Sequence, residues 1–96
     1  MVIWKYNLFL TGQLSIQMPK GAKVLSVGVD PQGYDSIWAF IPDENAEKEE
    51  RVFYCIGTGW DIEQVVPSDT EIEFIGTICG SPYVWHIFEE IDPSRA

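Results

Sequence analysis

Histidine is almost missing from this chain of 96 residues, where His86 stands alone. A Ser/His/Asp hydrolase would have to use it, and no serine stands in a strained strand-to-helix elbow. On a strand, His86 alternates onto the face of Val84 and Phe88, which is the setting of a partly buried structural histidine. Cysteine is also scarce: Cys55 and Cys79 are far apart and form no CxxC. One histidine and two separated thiols do not make the four nitrogen and sulfur ligands of a structural zinc. Asp43-Glu44-Asn45 lacks the glycine and spacing of an EF-hand loop, so no metal is expected. No cofactor fingerprint is present either, since Gly57-Thr58-Gly59 and Gly76-Thr77 match neither a P-loop nor GxGxxG.

Positive charge is the next shortage. Six lysines and arginines stand against 15 carboxylates, a net charge of −9. That balance excludes non-specific binding to duplex nucleic acid or an anionic membrane, where affinity comes from neutralised phosphates. The deficit is uneven. Residues 1–42 carry Lys5, Lys20 and Lys23 against Asp30 and Asp35, whereas residues 43–96 carry almost all the acid. Long apolar runs are lacking too. The longest are about ten residues, half of the roughly 20 that a membrane helix needs. Met1 to Tyr6 shows no basic stretch leading into a long apolar one. No secretory signal is therefore read, and a cytoplasmic setting with two reduced, buried thiols is expected.

What the chain does have is 46% hydrophobic residues and 14% aromatics, enough for one folded domain. Alternating apolar and polar positions predict seven strands, over 2–10, 14–18, 22–30, 35–41, 51–56, 72–78 and 83–88. Glycine and proline punctuate them, at Thr11-Gly12-Gln13, Pro19-Lys20-Gly21, Pro31-Gln32-Gly33 and Cys79-Gly80-Ser81-Pro82. The first two strands read as a hairpin. The acidic run 43–50 reads as a solvated loop, residues 60–69 as an unsettled segment with room for one helical turn, and residues 91–96 as a polar tail. The expectation is a single all-β domain over residues 1–90, an antiparallel sandwich or small barrel of about seven strands. Trp38, at the middle of the most apolar strand, is expected to cost about 3–5 kcal/mol on truncation if its ring is buried.

Thirteen aromatic residues are more than one small core can hide. Some must be exposed, stacked on a ligand or buried between subunits, which points to a homo-oligomer. Aromatic platforms beside cations would suit a nucleotide, with stacking for the base and charge for the phosphate. Trp4, Lys5, Tyr6, Lys20, Lys23 and Arg51 are the candidates of that kind. Thr58 and Gly59 join them because Gly57-Thr58-Gly59 after a strand either presents backbone N–H groups and a hydroxyl to a phosphate or simply turns the chain.

Several segments together carry a resemblance: Ile3-x-Lys5-Tyr6, Met18-Pro19-x-Gly21-Ala22-x-Val24-Leu25-x-Val27, Ile37-Trp38-Ala39, Arg51-x-Phe53, Gly57-Thr58-Gly59, Phe74-Ile75-Gly76-Thr77 and Trp85-His86-x-Phe88. In this order the chain resembles, from about residue 3 to residue 89, a family of small uncharacterised domains encoded mainly by bacteriophages and prophages. Pro31-Gln32-Gly33-Tyr34 and the acidic run 43–50 depart from its pattern. The resemblance implies phage counter-defence: a sponge that binds cyclic di- or trinucleotide signals of a CBASS-type system without cleaving them, and so is not an enzyme. The alternative is an acidic inhibitor that binds a host protein directly.

Overall fold

The computed structural model describes residues 1–80 and 82–92. Ser81 of the expected turn and residues 93–96 of the expected tail lie outside the described residues. Seven strands form: β1 (Val2–Asn7), β2 (Gln13–Pro19), β3 (Lys23–Val29), β4 (Asp35–Ile41), β5 (Lys48–Gly57), β6 (Ile72–Cys79) and β7 (Val84–Glu90). All pairings are antiparallel, in a three-stranded sheet ordered β1-β4-β3 and a four-stranded sheet ordered β2-β5-β7-β6. The expected all-β sandwich is therefore the fold.

Alternation decides which side chains lie between the sheets. Ile37, Ala39 and Ile41 of β4 meet Phe53 and Cys55 of β5 and Ile87 of β7, all fully buried in one core. Trp4, Tyr6, Leu14 and Ile16 close it from the β1 and β2 side. A smaller cluster lies on the outer face of the four-stranded sheet, where Tyr54 and Ile56 are covered by Val66. Residues 60–69 supply that cover. They make a single 3₁₀ turn at Ile62–Gln64, capped by the Asp61 carboxylate accepting from the Glu63 N–H at 3.3 Å.

Several expectations are corrected. β1 and β2 do not form a hairpin, because they lie in different sheets. The Leu8 N–H still bonds the Asp35 carbonyl on the β4 side, and four residues later the Gly12 carbonyl accepts from the Cys55 N–H at 2.6 Å. Residues 8–12 thus cross from one sheet to the other, with Leu8 buried on the way. β1 accordingly stops at Asn7 rather than running to residue 10. The acidic run is not all loop, since Lys48, Glu49 and Glu50 begin β5 and pair with Pro19, Met18 and Gln17. A bulge between Val24 and Ser26 breaks the even alternation expected of β3, so Val24 and Val27 both pack on the core. Cys79 is exposed, whereas Cys55 is buried as expected and burial pushes its thiol up to about 12. Trp38 is not a core residue: it lies half-buried on the outer face, its ring against Gly28.

The division of charge follows the division into sheets. β1, β3 and β4 all fall within residues 1–42, the part with a small positive balance. Three of the four strands of the other sheet come from the acidic part. With a shortest extent of 15 Å, the molecule offers flat faces and edges rather than deep cavities.

Candidate functional site

β3 and β6 are edge strands of different sheets that face each other across one side of the sandwich. They close tightly at one point, where a Cβ on Gly76 would stand 2.8 Å from Val27 Cγ2. Each carries a bulge, at Val24/Ser26 and at Phe74/Gly76. Bulges add twist and bend the strand, and beside them the edges part to leave a slot of about 350 Å³. Val24 and Leu25 form one wall, Phe74 and Ile75 the other, and Arg51 and Glu89 line the interior.

Arg51 is the best-held side chain in the slot. Its Nε and Nη2 donate to Oε2 and Oε1 of Glu89, the latter at 3.0 Å, in a fork-to-fork pair. Nη1 donates to the Ala22 carbonyl at 2.8 Å and lies 3.7 Å from Glu49. Lys23 lies on β3 at the rim of the slot, exposed and in register with Phe40 of the outer face, with no ion pair among the described residues. Phe74 is 55% exposed and its ring meets Phe88 edge-on at 5.4 Å. Lys23, Arg51, Glu73 and Glu89 thus line the slot together, and the Phe74 ring is turned toward Phe88 on the outer face of the four-stranded sheet.

The other candidates are dispersed. Lys5 lies on the outer face of the three-stranded sheet, opposite Trp38, and is paired with Asp30. The bond from Lys5, joined by the Tyr34 N–H, holds the Asp30 carboxyl below the usual carboxylate range. Trp4 and Tyr6 face inward against the core. Tyr6 Oη is buried without a hydrogen-bond partner among the described residues, and burial raises its pKa against the opposing charge of Arg51. Lys20 sits in the turn after β2, exposed, 3.9 Å from Glu47. Thr58 and Gly59 follow β5 and line a different, smaller pocket with Trp60 and His86.

His86 is held on both sides. Thr58 Oγ1 lies 2.7 Å from its Nε2, and Thr77 Oγ1 lies 3.1 Å from its Nδ1. The arrangement has the outline of a nucleophile, a base and an orienting group, but a threonine hydroxyl stands where a triad has its carboxylate. It carries no charge to stabilise an imidazolium. No group of three or more His, Cys, Asp or Glu side chains that could hold a metal ion occurs among the described residues. No helix among them is long and apolar enough to cross a membrane.

Phe74 and Glu89 are the slot residues that sequence reasoning passed over. Glu89 had a signal: it continues the inward alternation Trp85, Ile87, Glu89, and a carboxylate at such a position needs a cation. Phe74 had none, because the adjacent bulge that turns its strand is not visible in the apolar pattern.

A two-sheet antiparallel sandwich with a mixed-charge slot between its edge strands defines a small all-β domain. The chain belongs to the DUF7352 family, a domain of unknown function whose model matches residues 1–96. No curated protein and no solved structure matches it.

Proposed function

We propose that this domain is a phage-encoded counter-defence protein of the host cytoplasm that sequesters a cyclic di- or trinucleotide immune signal without cleaving it. The observation that carries the reading is that Lys23, Arg51 and the largely exposed Phe74 line one slot. Base stacking on an aromatic ring contributes about 1–3 kcal/mol, and Lys23 supplies a free ammonium for a phosphate. The Arg51 guanidinium is fixed in place by Glu89, which offsets its charge and leaves Lys23 as the free cation at the slot. Glu73 and Glu89 oppose an anion, and the slot is smaller than a whole cyclic dinucleotide requires. A second copy completing the site supplies further cations and covers the exposed aromatics.

The test is thermal melting against a panel of cyclic di- and trinucleotides, followed by recovery of the small molecule from heat-denatured complex. One panel member should raise the melting temperature by several degrees at about 100 times its Kd and be recovered intact. Lys23→Ala and Phe74→Ala should each weaken binding about tenfold. Silence across the panel removes the reading, and a chemically altered product moves the domain to the enzymes.

A second reading has its own support: the acid is concentrated in residues 43–96, on the strands and loops of the four-stranded sheet's side of the chain, and Arg51 is neutralised there. That surface suits an inhibitor docking on a basic host protein. Capture of one stoichiometric partner from host lysate, released by about 0.5 M salt, would favour it.

A further inference from the structure

The three-stranded sheet is one strand short of the sheet it packs on. β3 and β6 meet at one side of the sandwich, with Val27 against Gly76, so the open place falls on the other side, beside β1. We propose that this place takes an extended, uncharged strand of a partner protein, added antiparallel to β1. The proposal is independent of both readings above.

The ladder to β4 fixes which backbone groups are open. In an antiparallel pair, opposed residues alternate between exchanging two hydrogen bonds and exchanging none. The Leu8 N–H bonds the Asp35 carbonyl, in the register that pairs Asn7 with Ser36 and Tyr6 with Ile37. The bonded residues of β1 are therefore Val2, Trp4 and Tyr6. Ile3, Lys5 and Asn7 turn their N–H and C=O groups to the open edge. Proteins protect such edges with bulges, proline or charge. β3 and β6 are bulged, and β2 ends on Pro19. β1 has neither bulge nor proline, and its one charge, Lys5, is neutralised by Asp30.

The bordering side chains specify what enters. Trp4 and Tyr6 of β1 and Leu14 and Ile16 of β2 face inward, yet all stay half-buried. An added strand turns every second side chain to that face, so apolar residues at alternate positions complete the cover. Neither β1 nor β2 carries a carboxylate. With Lys5 paired, this edge is close to neutral in a chain of −9. It therefore suits an uncharged strand, whereas a basic one is drawn to the acidic half. A second copy does not fit, because its own four-stranded sheet would run into β2 beneath the join. Main-chain bonds then supply affinity and alternate side chains supply specificity.

The probe is an acetylated and amidated peptide of about seven residues, alternating serine and valine. It is added to the full isotope-labelled chain, and amide exchange is followed by NMR. Without peptide, the amides of Trp4 and Tyr6 should be protected and those of Ile3, Lys5 and Asn7 should exchange freely. With about 1 mM peptide the latter should slow at least about tenfold. In antiparallel pairing the serine N–H groups face β1, so methylating the serine nitrogens should abolish the effect. Methylating the valine nitrogens should leave it within about threefold. Ile3→Pro removes an open donor and no ladder bond, so it should keep the fold and abolish binding. If that variant does not fold, the methylated pair decides. The proposal is overturned if the open amides do not slow, if they are already protected without peptide, or if the two methylated peptides behave alike.

Discussion

Arg51 and Glu89 show what a buried ion pair does for a small sandwich. Both are nearly closed to solvent, and the guanidinium also satisfies the Ala22 carbonyl. Removing one partner leaves the other buried and uncompensated, so Arg51→Ala should cost about 3–5 kcal/mol in urea unfolding. Replacing both, as Arg51→Met with Glu89→Leu, should recover most of that loss. A double variant as unstable as the single one would mean that the bond to Ala22 matters more than the pair. Asp30 gives a pH-dependent counterpart. Its carboxyl is held below its usual range when folded, so its contribution is complete above the unfolded value of about 3.9 and fades as pH falls through the folded one. The stability gap between the parent and Asp30→Asn should therefore be widest near neutral pH and shrink below about pH 4. A gap that does not change with pH would remove Asp30 from the account of acid unfolding.

The bulges in β3 and β6 place the slot, and Gly76 sets how closely the two edges approach. A methyl there would meet Val27 at 2.8 Å. Gly76→Ala should cost about 1–3 kcal/mol and weaken any ligand held by Lys23 and Phe74, measured by melting and by titration of the same sample. Unchanged stability would show that the two edges are free to spread. The strands themselves were legible because β1 and β2 alternate regularly and β4 is a short apolar run between Gly33 and Pro42. Strand partners were not: a short polar turn such as Thr11-Gly12-Gln13 looks the same whether it folds back or crosses over. Neither bulge has a glycine at the displaced residue, so the shifted register at Leu25 left no mark in composition. The site was legible in part. Lys23 and Arg51 were identified for charge and line one slot, whereas Lys5 and Lys20 found carboxylates nearer to hand. Trp38 illustrates the same limit, since half-burial on an outer face should reduce its truncation to about 1–2 kcal/mol, well below that of Ile37→Ala at about 2–5.

For the whole molecule, strand order in space departs from strand order in the chain. β7 lies between β5 and β6 and pairs with both, although it comes last of the seven. The three-stranded sheet draws only on residues up to Ile41, so all its strands leave the ribosome before any partner of β2 does. Until β7 arrives, β5 and β6 have no common neighbour, and Arg51 waits without Glu89. A chain ending at residue 80 should therefore fail to unfold cooperatively, and adding a peptide of residues 82–92 should restore a single transition by circular dichroism. The slot is thus dated as well as placed. Its charge pattern, its inner wall and the closure of its sheet are completed together by one short segment, so an unfinished chain has no partial version of the site to offer a ligand.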